Sequence, residues 1–106
     1  MPADASRHVT WTGLEVTDEA GYARYRTGVA SILEAYGGRF DHDFAVARVL
    51  TSSASPRINR VFAISFLDAE ARAGFFGDAR YRRVRAEHFE PAVGSRAELA
   101  AFTTSL

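Results

Sequence analysis

Two histidines, a tyrosine and two arginines are the side chains of this chain best placed to do chemistry near neutral pH. His42 stands in the alternating run Phe40-Asp41-His42-Asp43-Phe44, and His88 follows Tyr81 by seven residues in a stretch with helical spacing. Imidazole titrates closest to neutrality, so a histidine under a packed layer can accept and return a proton. His42 on a strand, met by His88 from a helix, would form an acid-base pair. Each also has a structural reading: His42 as a core residue with one ring nitrogen bonded to backbone, His88 as a helix-end residue against the last carbonyls. Tyr81 and Arg85 are one helical turn apart, and a phenol beside a guanidinium can bind a carboxylate or an enolate. The plainer alternative for Tyr81 is a core aromatic with its hydroxyl at the rim. Arg60 interrupts an apolar strand, so it lies either at the sheet's periphery or inside as a cation awaiting an anion. Asp41 and Asp43 flank His42, but alternation sends them to the other face. A local metal triad is therefore excluded, and pairing of these aspartates with arginine is expected.

The elements that position these groups can be read from periodicity. His8 to Val16 alternates as a first strand, with Trp11 on one face and Leu14 and Val16 on the other. Thr17 offers a helix N-cap, followed by acidic Asp18 and Glu19. Tyr22, Tyr25, Val29, Ile32, Leu33 and Tyr36 then gather into one apolar stripe, closed by Gly37 and Gly38. A second strand is expected over Arg39–Leu50, with Phe40, His42, Phe44 and Val46 toward the helices. The polar, proline-containing loop of residues 51–57 leads to a third strand over Ile58–Leu67. Asp68 caps a helical segment to Phe76; Gly77-Asp78 restarts it, and Pro91 ends it near Glu90. Tyr81, Val84 and His88 form its inward stripe. A fourth strand is expected over Glu98–Leu106.

Composition narrows the function classes. The chain has 106 residues, with 13 basic and 13 acidic side chains, so no net field draws nucleic acid or an anionic membrane. All the basic residues are arginine and there is no cysteine. Schiff-base chemistry, a P-loop lysine, disulfides and thiolate chemistry are thus excluded. No apolar run approaches the length of a membrane span, and Met1 to Ser6 lacks the pattern of a signal peptide, so a cytoplasmic protein is expected. Residues 1–6 are expected to be disordered and residues 7–106 to form a single domain. No motif calls for a metal or a cofactor. The third strand, Arg60 to Phe66, lacks the glycine-aromatic consensus of RNA-binding domains of the same element order.

The order βαββαβ predicts an α+β, ferredoxin-like fold: a four-stranded antiparallel sheet with two helices on one face. Its second face would then carry Trp11, Ala45, Ala47, Val49, Val61 and Ala63. Such an apolar face is costly in water, which predicts a homodimer whose sheets pack into a dimeric α/β barrel.

Three stretches, Tyr36-Gly37-Gly38-Arg39, the third strand running into Phe66, and Phe75-Phe76-Gly77-Asp78-Ala79-Arg80-Tyr81, together resemble the domain-of-unknown-function 1330 family of the dimeric α/β-barrel superfamily. The resemblance spans roughly Tyr22 to Val93 and implies the same fold and back-to-back dimer. Leu67 replaces the family's proline, Asp78-Ala79 replaces its Ser-Pro, and His88 stands where it carries an arginine. The expected activity is binding of a small, largely apolar organic molecule between helices and sheet. That binding could serve cofactor-independent acid-base chemistry of an oxygenase or isomerase kind, with His42 and His88 catalytic and Tyr81, Arg85 and Arg60 binding the ligand. The alternative is a non-catalytic ligand-binding or interaction dimer.

Overall fold

A computed structural model describes residues 6–105 of the chain. Its elements are β1 (Ser6–Val16), α1 (Glu19–Ala35), β2 (Arg39–Ala45), β3 (Arg60–Phe66), α2 (Ala69–Gly77), α3 (Ala79–Val84) and β4 (Val93–Ser105). A π-helical turn, Arg85–Phe89, and a 3-10 turn, Glu90–Ala92, join α3 to β4. The strands form one antiparallel sheet in the order β2-β3-β1-β4, the ferredoxin-like arrangement. The segment expected to be disordered lies outside the described residues, apart from Ser6, which pairs with Ser105.

Helix α1 forms where its periodicity places it. Asp18, rather than Thr17, is the N-cap: its carboxylate accepts from the Gly21 N–H, while the Thr17 hydroxyl donates to the Ala92 carbonyl. Tyr22, Tyr25, Val29, Ile32 and Leu33 are buried against the sheet. At the other end Gly37 donates to the Glu34 carbonyl and Gly38 to the Leu33 carbonyl, with Gly37 at φ 69°. That left-handed residue turns the chain into β2 with no linker. Helices α2 and α3, capped by Asp68 and Asp78, complete the layer, and Phe75, Tyr81 and Phe89 close the core over Leu14, Ile64 and Phe66.

Single-residue insertions shift the expected phases. In β2, Phe40 lies opposite Ile64 but His42 lies opposite Ala63, so Asp41 is an extra residue and the strand bulges there. Phe40 stays on the helix side, in edge contact with Phe62. Beyond the bulge His42 and Phe44 turn to the other face, and Asp43 and Ala45 take the helix side opposite Phe62 and Arg60. The strand also ends at Ala45 instead of Leu50, and residues 46–59 form an irregular connection, so β3 begins at Arg60. In β4 the register slips at Leu99, between the partners of Trp11 and Thr12. That slip conceals the strand's first half, which begins at Val93 rather than Glu98. Finally, in the π turn the Glu90 N–H reaches back five residues to the Arg85 carbonyl, which rotates the helix face and turns Phe89 inward in place of His88.

The face away from the helices is apolar, as expected, though its membership differs. Ala45 is on the helix side and Ala47 and Val49 lie beyond the strand; His42 and Phe44 replace them, stacked with Trp11 at ring separations of 5.3 and 6.3 Å. Phe44 is 50% exposed and Phe102 44%.

Candidate functional site

Between the helices and the sheet lies a small cavity of about 20 Å³. Its floor is Thr10 and Thr12 of β1 with Phe62 and Ile64 of β3, and its roof is Tyr25, Phe76, Tyr81 and Phe89. Arg72 from α2, Arg85 from the π turn and Arg96 from β4 complete the lining. Among the described residues no carboxylate lines the cavity.

The polar groups here are hydroxyls and guanidinium groups. The Tyr25 and Tyr81 hydroxyls are 3.1 Å apart, and Arg85 Nη1 donates to the Tyr81 hydroxyl at 3.2 Å. Burial pushes the Tyr25 phenol well above its usual pKa, and the adjacent Tyr81 hydroxyl pushes it further, so Tyr25 stays protonated. Burial opposes the Arg85 charge, but hydrogen bonds to Glu90 and Tyr81 outweigh it and raise the guanidinium's pKa. Arg72 lies over the Phe76 ring, 5.0 Å from its centroid, and approaches Glu98 at 3.8 Å. Two buried polar atoms have no hydrogen-bond partner among the described residues: Thr10 Oγ1 and Arg72 Nε. Both residues line the cavity.

Of the residues singled out from the sequence, Tyr81 and Arg85 meet here, as the one-turn spacing predicts. Arg60 does not. It is the peripheral alternative, bonded through Nε and Nη2 to Asp43 at 2.8 Å each, with Arg26 on the same carboxylate at 3.2 Å. The Arg60 hydrogen bond holds the Asp43 carboxyl below its usual range, and the same bond raises the Arg60 guanidinium. Its charge is therefore answered by the chain itself. Asp41 is likewise paired with Arg39, at 2.6 Å. His42 and His88 are not brought together. His42 is on the open face, where it lines a shallow surface hollow with Trp11 and Phe102, because the Asp41 bulge reverses its side. His88 is half-buried with Nε2 3.5 Å from Glu87, and it lines none of the cavities described here, because the π turn gives its inward place to Phe89.

Residues 11–97 match the domain of unknown function DUF1330. The chain belongs to this family. No curated protein matches the chain. Among solved structures this DUF1330 chain is similar to a protein of unknown function from Rhodopseudomonas palustris, with TM-score 0.74, 15% identity, and coverage of 97% of this chain and 83% of that one. It is also similar to a DABB family protein with a ferredoxin-like fold from Mesorhizobium loti, with TM-score 0.61, 12% identity, and coverage of 95% and 97%. A candidate antibiotic biosynthesis monooxygenase from Nitrosomonas europaea matches with TM-score 0.52, 17% identity, and coverage of 93% and 88%. At such identities the likeness is one of fold.

Five cavity residues of this DUF1330 domain escape the sequence reading. Thr10 and Thr12 are polar in the helix-facing phase of β1, a visible signal, since a core phase is ordinarily apolar. Tyr25 is legible only as part of the apolar stripe of α1. Arg72 stands four residues before Phe76, on the same side of α2, which is a recoverable spacing. Arg96 lies in the half of β4 that the Leu99 slip conceals.

Proposed function

We propose that this DUF1330 protein is a homodimer that binds a small, largely apolar organic molecule between its helices and its sheet. The observation that carries the reading is the cavity itself, with aromatic walls and two buried, unpartnered polar atoms, Thr10 Oγ1 and Arg72 Nε. Buried polar groups almost always have partners, so an orphan pair on one cavity points to a missing occupant. At about 20 Å³ the cavity has room for about one water, so a ligand must widen it. The yielding wall is α2, which buries only Phe75 and contributes the half-buried Phe76 and Arg72. The homodimer is supported by Phe44 and Phe102 beside Trp11 and by Leu99 near Val61, all large apolar side chains left at least 44% exposed.

Binding is favoured over catalysis by the separation of the histidines. Among the described residues neither a histidine nor a carboxylate lines the cavity, and burial keeps the Tyr25 phenol protonated. Catalysis is the second reading, and the Arg85–Tyr81 hydrogen bond supports it, since a phenol polarised in this way can stabilise a developing enolate oxygen. An oxygenase or isomerase role of this kind would use Tyr81 and not a histidine pair.

A fragment screen followed by protein NMR tests the proposal. Binders are expected to perturb the backbone amides of Thr12, Tyr25, Tyr81 and Phe89 saturably. Perturbations confined to Trp11, His42 and Phe44 would reject the cleft as the site.

A further inference from the structure

We propose that the ligand of the cleft is an organic acid, and that its carboxylate is held by Thr10, Arg72 and the Tyr81–Arg85 pair; this rests on the cleft being a ligand site. The argument is a balance of donors and acceptors. Arg72 Nε–H can only donate, and it is buried with no acceptor among the described residues. Thr10, 1% exposed, has an unpartnered hydroxyl on the same cavity. Tyr81 receives a hydrogen bond from Arg85, and when Tyr25 also donates to it, the Tyr81 proton is free to point into the cavity. Three groups able to donate thus line one cavity, whose described lining offers no carboxylate and three arginines.

An acceptor-only group satisfies all of them at once, and a carboxylate is the planar anion that matches guanidinium geometry. A cationic ligand would be repelled. A neutral amide would turn its own N–H donors toward a site that already consists of donors. The walls choose the rest of the molecule: Phe40, Phe62 and Phe76 suit an aromatic or aliphatic body and not a free inorganic anion.

The test compares benzoate, phenylacetate and 3-phenylpropanoate with their isosteric primary amides, titrated into the full chain. Binding is followed by NMR at the Arg72 side-chain Nε–H and the Thr10 amide. At least one acid is expected to bind about tenfold or more tightly than its amide and to shift the Arg72 Nε–H resonance. Arg72→Gln is expected to lower that acid's affinity about tenfold or more beyond any loss it causes for the amide. Thr10→Val, which keeps the side chain's shape, should act in the same direction and covers the case in which the arginine variant fails to fold. Equal affinity for acids and amides at the cleft would overturn the carboxylate assignment and leave the cleft standing as a site. Perturbation of surface arginines alone, or of no lining residue by any of the six probes, would overturn both.

Discussion

The two faces of the sheet are made from alternate residues of the same strands, yet they reach opposite states. On the helix side Thr10 and Thr12 are almost wholly buried beside Ile64 and Phe66, and Thr10 Oγ1 and Arg72 Nε have no hydrogen-bond partner among the described residues. On the other side Phe44 and Phe102 stand in water beside Trp11, and Leu99 near Val61. Each face breaks the ordinary rule in its own way, polar inside on one and apolar outside on the other. The difference teaches that the chain has two unsatisfied demands of different chemistry. On the proposed reading, a small hydrogen-bond acceptor answers the inner face and an apolar surface the outer one.

The comparison can be broken most forcefully at Phe75, which is 1% exposed and packs against Phe66, Phe76 and Tyr81. Phe75→Ala is expected to cost about 3–5 kcal/mol in urea unfolding, and a loss below about 1 kcal/mol would mean that the helix layer is not a packed core. Thr10→Val sharpens the comparison with a change of opposite sign. An orphan buried hydroxyl is unfavourable, so its replacement by a methyl should raise the melting midpoint of the unliganded protein, worth about 1 kcal/mol. A lower midpoint would show that the hydroxyl already has a partner. The smallest effect concerns the rim of the helix side, where Arg60 holds the Asp43 carboxyl below its usual range. The folded pKa is depressed, so this stabilisation is complete above about pH 4, near the unfolded value, and is lost as pH falls through the folded one. Because the pair is part-exposed the effect should stay under about 1 kcal/mol, and Arg60→Gln should flatten the acid limb of a stability-pH profile.

The architecture was legible because α1 repeats its apolar stripe without interruption and because Gly37 and Gly38 mark an abrupt reversal. The site was legible only where no residue had been inserted. Tyr81 and Arg85 span a single turn that opens before the π turn's extra residue takes effect, so their spacing holds. Phe40, His42 and Phe44 alternate without a flaw, and nothing in that run discloses that Asp41 bulges and sends the last two to the opposite face. His88 was displaced by the helical counterpart of the same event. A one-residue insertion leaves local composition untouched while reversing what faces inward. Both histidines were misplaced for that reason, and the arginines that replace them in the cavity came from α2 and from the concealed half of β4.

The claim that the open face belongs against a second copy is met most directly by mass. Light scattering across micromolar concentrations should give twice the 11.6 kDa of one chain for the natural protein, and the single-chain mass, with unchanged far-ultraviolet circular dichroism, for Trp11→Arg. A single-chain mass for the natural protein at every concentration would contradict it.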